Sequence, residues 1–406
     1  MLNIKFIREN AKLVSEGAKN KGYNVDVDKL IKVDKERRKL IEEVDKLRSD
    51  RKKAAEERDE KKGQSIKAEL KTKENSLEKL HEAFYKLIRS IPNIPRADVP
   101  VGKDESENKV IREVGSKPVF NFTPKDHLAL AIPLDLIDVE RASKISGTRF
   151  AFLKNELVDL EFALINYTFE KLSKEGFKKI IPPVLINKKA VEGLGYPEYE
   201  TGEGYKVDGQ YLVGTAEHSV VPMHMDELFN IKDLPRRYAA FSTAFRREAG
   251  SYGKDTKGIF RVHQFDKIEM VSFVEPKNED KEHEALLQIE EDLVRSLGLA
   301  YRVIKMCTGD LGFPASRKYD IETWIPSQNQ FRETHSVSTT GDFQARRLNI
   351  KHIVGDKNEF VSILNGTAFA IGRIIIAILE NNQQKDGSIS IPEVLQKYTG
   401  FNKIPA

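Results

Sequence analysis

One cysteine, Cys307, stands in a chain of 406 residues. A lone thiol excludes a disulfide within the chain and any zinc site built from several cysteines. Long apolar runs are missing too. The most conspicuous, residues 374–379, is far too short to span a bilayer, and the charges in MLNIKFIREN come too early for a signal peptide. The expectation is a cytoplasmic protein without membrane contact. Neither a G-x-G-x-x-G loop nor a regular βαβα rhythm occurs, which argues for an α+β fold over a dinucleotide-binding sheet. There is little excess of one charge sign: the net charge is +4, although charged residues make up 32% of the chain. A polyanionic partner is permitted and not demanded. The 39% hydrophobic content at this length suits one large core plus a smaller module.

The smaller module comes first. Leu30, Val33, Leu40, Val44, Leu47 and Ala54 recur in heptads, with Arg37, Arg51 and Arg58 at seam positions, and a second series runs through Leu70, Leu77, Leu80, Phe84, Leu87 and Ile91. Joined by a charged link at 59–64, they predict an antiparallel coiled-coil hairpin about 50 Å long that projects from the body. IPNIPRADVPV ends its second helix, which places a domain boundary near residue 100 and divides the chain into 1–100 and 101–406. Beyond it, 154–176 predicts an amphipathic helix and 284–297 a surface helix. Residues 361–363 predict a strand, and 368–380 a helix that carries Arg373 behind an Asn-Gly turn.

Residues 245–270, FRREAGSYGKDTKGIFRVHQFDKIEM, predict a long hairpin. Strand-like ends at 245–248 and 259–270 flank a Gly, Ser, Asp and Lys loop, and alternation gathers Arg246, Glu248, Arg261, Lys267 and Glu269 largely on one face. FRREAGS followed by GIFRVHQFDKIE resembles motif 2 of the class II aminoacyl-tRNA synthetases in its seryl-tRNA synthetase form. LVGTAEHS, FRETHSVSTTGDFQARR and LNGTAFAIGR are similar, in order, to that family's serine-binding segment, its metal and phosphate segment, and its motif 3. GFKKIIPPVLI resembles motif 1, with Pro182 at the characteristic proline and a role in dimer contact; an edge strand ended by proline would read the same way.

The resemblance implies an antiparallel class II sheet flanked by helices, and a homodimer that joins L-serine to the 3′-terminal adenosine of tRNA(Ser) through seryl-adenylate. Whether a selenocysteine tRNA is charged as well stays open. Such chemistry needs no protein nucleophile: a carboxylate attacking a phosphate needs positioning and cations, a task suited to arginine's fixed fork of donors. The implied catalytic residues are Arg246 and Arg373. Serine falls to Thr215, Ala216, Glu217, Arg246, Glu269, Asn365 and Thr367. ATP falls to Arg246, Arg247, Glu248, Arg261, Val262, Phe265, Glu333, Thr334, His335, Ser336 and Arg373, with Phe265 and Arg373 on opposite faces of the adenine. Mg²⁺ accompanies ATP on Glu333 and Ser336, and no zinc is expected. His218, His263 and His335 read as hydrogen-bonded scaffolding. Thr339 stands where the family commonly has Asn.

In the same resemblance the hairpin grips tRNA, and Arg37, Arg38, Arg48, Arg51, Lys52 and Lys53 are candidate phosphate contacts. By its own residues it could equally be an oligomerisation device or a spacer. Two other functions compete with the first. A ligase that loads an amino acid onto a carrier protein characteristically lacks the hairpin, and a non-catalytic paralogue would lose Arg246, Glu333 or Arg373.

Overall fold

The computed structural model describes residues 1–196, 202, 204–248 and 258–406, in two compact units, Met1–Ile94 and Pro95–Ala406. In the first, α1 (Ile4–Glu9) and α2 (Ala11–Asn20) precede two 30-residue helices, α3 (Val27–Glu56) and α4 (Glu60–Arg89), which pair as a hairpin. Heptad spacing places Leu30, Val44 and Ala54 of α3 and Leu70, Phe84 and Ile88 of α4 in the seam, where they are buried. Arg37 keeps its seam position by lying 4.2 Å over the Phe84 ring and donating to the buried Asp34 at 2.9 Å. Arg51 and Arg58, spaced for the same seam, are exposed instead. The link is shorter than 59–64. Asp59 accepts the Lys62 N–H at 3.0 Å and starts α4 at once, with Gly63 inside the helix. Cap and pairing outweigh the roughly 1 kcal/mol that a helical glycine costs.

The second unit is built on an eight-stranded sheet of β1 (Lys109–Val114), β2 (Lys178–Ile180), β3 (Arg236–Phe245), β4 (Gln264–Val274), β5 (Tyr301–Lys305), β6 (Arg317–Ile325), β7 (Gln330–Gly341) and β8 (Ser362–Ala370). The order is β1-β5-β6-β7-β8-β4-β3-β2, antiparallel throughout except between β2 and β3. This is the α+β antiparallel sheet that the sequence implies. In β4, Ile268, Met270 and Val274 enter the main core with residues of α6 (Glu156–Lys174), α7 (Glu279–Ser296) and α8 (Ile371–Asn381), to which α5 (His127–Ala131) also contributes. The alternate residues Val271 and Phe273 join a second core, while Lys267 and Glu269 turn the same way into open cavities.

Three expectations need correction. The hairpin strands end at Phe245 and begin at Gln264, so Arg246, Glu248 and Arg261 flank the ladder, and only Lys267 and Glu269 share a strand face. The ladder stops because His263 donates its N–H to the Arg149 carbonyl at 3.0 Å, leaving one further rung from the Arg246 N–H to the His263 carbonyl. The connecting loop, 249–257, lies outside the described residues. The expected surface helix is the deeply buried α7, three of its acids neutralised from distant segments: Glu282 by Arg237 at 2.6 and 2.7 Å, Glu279 by Arg96 at 2.5 Å, and Glu291 by Arg112. Finally, Asn365-Gly366 is no turn. β8 runs straight through it, and a Cβ at position 366 would stand 2.8 Å from Glu290 Oε1 and 3.2 Å from Met270 Cε. Glycine is there for the close approach, and the helix carrying Arg373 starts at Ile371.

Candidate active site

Two cavities open side by side on the polar face of the sheet. The larger, about 470 Å³, is lined by Thr215, Glu217, Glu269 and Asn365; the smaller, about 190 Å³, by Arg261, Val262, Phe265, Glu333, Thr334, Thr367 and Arg373. Arg246, Glu248, Lys267, Lys318 and Ser336 belong to both. Arg246 therefore stands on the common wall. Its Nε donates to the Gly214 carbonyl at 3.1 Å, and its guanidinium lies 5.4 Å from the centre of the Phe265 ring. Arg373 donates from one nitrogen to the Glu333 carbonyl oxygen at 2.9 Å and to its carboxylate at 3.0 Å, and rests 5.0 Å over Phe260.

These neighbours set the charges. Burial pulls the Glu333 carboxyl upward, but Arg373, Lys318 and Arg246 outweigh it and hold it down to about 2. Lys318, whose Nζ lies 3.0 Å from Asp320, is pushed above the usual lysine range: burial opposes its charge, and Asp320 and Glu333 prevail. Burial pushes Glu217 the other way, up to about 7, with the Gln344 amide opposing and Glu269 adding to the rise. Glu217 accepts from Gln344 at 3.0 Å and from the Tyr196 hydroxyl at 3.0 Å. A large pocket with three carboxylates and hydroxyls suits a small cationic, hydroxyl-bearing ligand. The smaller one, with three arginines and two aromatic rings, suits a nucleotide.

Residues 1–95 match the seryl-tRNA synthetase N-terminal domain, and 204–382 match the tRNA synthetase class II core domain (G, H, P, S and T). The chain is 42% identical over 421 residues to the serine--tRNA ligase of Treponema denticola, with all of both chains covered. It is 43% identical to that of Dictyoglomus thermophilum, covering 100% of this chain and 99% of the relative. The chain belongs to the seryl-tRNA synthetase family. Its fold superposes on the Pyrococcus horikoshii seryl-tRNA synthetase complexed with ATP with a TM-score of 0.93, at 39% identity and full coverage of both chains.

Against the seryl-tRNA synthetase motifs, most of the expected site residues gather at the two cavities, but Ala216, Arg247 and His335 do not line them. Ala216 is buried, its carbonyl accepting the Ser219 N–H at 3.0 Å; it shapes the turn that carries Glu217. Arg247 lies 5.2 Å over the Tyr205 ring. His335 is buried with Nδ1 2.9 Å from the Thr334 hydroxyl, and burial lowers its pKa to about 3. Period-two alternation in β7 turns it to the face opposite Ser336. His218 lines the larger cavity and accepts the Gly214 N–H at 3.2 Å, and His263 Nδ1 lies 3.0 Å from the Arg246 carbonyl oxygen. Thr339 sits in β7 and donates to Glu279 at 2.5 Å, which also accepts from Ser362 at 2.8 Å.

Lys267, Lys318, Tyr196, Gln344 and Phe260 are site residues that sequence reasoning left unassigned. Alternation with Glu269 already points to Lys267, whose Nζ lies 2.5 Å from Glu269. Gln344 lies within the DFQARR stretch, and Phe260 adjoins Arg261. Nothing near Lys318 or Tyr196 in the sequence marks them.

Proposed function

We propose that this chain activates L-serine with ATP and transfers it to the 3′-terminal adenosine of tRNA(Ser), acting as a cytoplasmic homodimer. The observation that carries the reading is Arg246 on the wall shared by the two cavities. Serine in the larger cavity and ATP in the smaller would bring a carboxylate and the α-phosphate together at that guanidinium. The serine carboxylate oxygen attacks the α-phosphorus, the bond to pyrophosphate breaks, and seryl-adenylate forms. A ribose hydroxyl of the terminal adenosine then attacks the carbonyl carbon, releasing AMP. Arg246 neutralises the meeting anions, Glu217 and Glu269 hold the ammonium group, and Phe265 and Arg373 enclose the adenine. Glu333 and Ser336 offer hard oxygens in one cavity, and the carboxyl stays ionised down to about pH 2, a donor set that fits Mg²⁺ retaining several waters. When bound, that ion would neutralise phosphate oxygens.

The dimer assignment rests on exposed apolar side chains: Ile181, directly after the edge strand β2, is 75% exposed, and Phe162 of α6 is 59% exposed. No helix among the described residues is long and apolar enough to cross a membrane. The test of the central claim is serine-dependent exchange of pyrophosphate into ATP. Arg246→Ala should lower it by about 10² to 10³, the scale for removing one preorganised donor at developing charge. Exchange within a few-fold of the unaltered protein would overturn the role.

A further inference from the structure

The smaller cavity is held from behind by a residue outside every motif. Ile259, Phe260, Arg261 and Val262 all line it, so the path of this short segment sets the shape of the proposed nucleotide site. The segment starts at Gly258, whose φ of +71° is left-handed, and a Cβ there would meet His127 Nε2 at 2.0 Å. His127, in α5, is buried, and its Nε2 accepts the Ile259 N–H at 3.4 Å. An accepting Nε2 puts the ring proton on Nδ1, which faces Glu380 Oε1 at 3.5 Å. Glu380, fully buried at the end of α8, also accepts the His127 N–H at 3.0 Å and, through its other oxygen, the Ser327 N–H at 3.0 Å. The same helix carries Arg373 at its beginning, resting on Phe260. A closed circuit results: α8 fixes His127 through Glu380, His127 fixes Ile259, and Phe260 supports the arginine of α8.

We propose that His127 is a positioning residue for the nucleotide, setting the segment 258–262 at the spacing from Arg373 that adenine requires. The inference rests on the reading of the smaller cavity as the ATP site. His127 itself lines neither cavity, and the residues of its circuit, Glu380, Ile259, Phe260 and Arg373, stay out of the wall of the larger one. The effect should therefore fall on ATP and spare serine.

The experiment is pyrophosphate exchange with ATP and serine varied separately, on His127→Ala, His127→Gln and His127→Asn. A glutamine oxygen reaches about as far as Nε2 and can accept the Ile259 N–H; an asparagine amide stops near the position of Nδ1. The Ala and Asn variants should raise the KM for ATP at least about tenfold with the KM for serine within about twofold, and Gln should recover most of the loss. Thermal unfolding establishes that each variant is folded, and if Ala does not fold, the contrast between Gln and Asn decides. An unchanged ATP KM in the folded Asn variant, equal values for Gln and Asn, or a matching rise in the serine KM would overturn the assignment of His127. Absence of serine-dependent exchange in the unaltered protein would instead overturn the nucleotide reading, and the proposal with it.

Discussion

As the proposed holder of the serine ammonium group, Glu217 would carry a pH dependence into substrate binding. Its carboxyl is pushed up to about 7, chiefly because burial disfavours the charge, while the donors on it, Gln344 and Tyr196, are neutral. An ammonium group arriving there stabilises the ionised form. Below about pH 7 the site must lose a proton before it can hold the ligand, so apparent affinity for serine should fall as pH falls, by up to about tenfold per unit, and level off above. The measurement is the serine KM in pyrophosphate exchange between pH 6 and 8 at saturating ATP. Glu217→Gln should bind more weakly with a flat profile. A flat profile in the unaltered protein, or an unaltered slope in the variant, would assign the ammonium to another group.

At the scale of the element, β8 and α7 depend on each other through one missing side chain. Glu290 of α7 is fully buried, and neither carboxyl oxygen finds a hydrogen-bond partner among the described residues. Burial raises its pKa well above the usual value, Glu269 and Asp320 adding to the rise. It occupies the notch over Gly366, where an added Cβ would also stand 3.3 Å from Val337 Cγ2. Gly366→Ala should cost roughly 1–3 kcal/mol in urea unfolding, the usual scale of overpacking. In the double variant with Glu290→Ala the costs should not add, because the carboxyl group that crowds the new methyl group has been removed. Strict additivity would show that the notch is not what keeps glycine at 366.

The same elements explain what the sequence disclosed and what it hid. The α3–α4 hairpin was legible because heptads state helix, length and partner locally, and Arg246, Glu333 and Arg373 were singled out by the family resemblance of the stretches that carry them, not by residue type. Asn365-Gly366 reads as a turn because its local propensity is that of a turn; pairing with β4 and β7 overrides it. The burial of α7 was hidden because Arg237, Arg96 and Arg112, which neutralise three of its acids, lie far away in the chain. Lys318 and His127 escaped notice for the same reason: their roles exist only once distant segments meet.

For the molecule as a whole, the question is whether the two units divide the labour. The residues proposed for activation all lie in Pro95–Ala406, whereas the hairpin belongs to Met1–Ile94. Among the basic residues of α3, Arg37 and Arg38 are engaged by Asp34 at 2.9 and 3.1 Å, and Arg48 by Glu74 at 2.8 Å. Arg51, Lys52 and Lys53 are exposed in succession near the tip, and no ion pair of theirs is seen among the described residues. They are the arm's best candidates for phosphate contacts, since a cation without an internal partner gives up least on meeting one. Reversing all three to Glu should leave serine-dependent exchange within about twofold, because the cavities are untouched. Charging should suffer: the KM for tRNA should rise by at least about tenfold, and the dependence of log KM on log salt should become shallower by roughly 0.7–0.9 for each phosphate that the arm no longer neutralises. Both half-reactions are to be measured on one folded preparation across about 50–200 mM salt, a range over which such pairings weaken strongly. A charging KM and salt slope equal to those of the unaltered protein would remove these residues from tRNA binding; a parallel loss of exchange would mean that the hairpin supports the catalytic unit and not the tRNA alone.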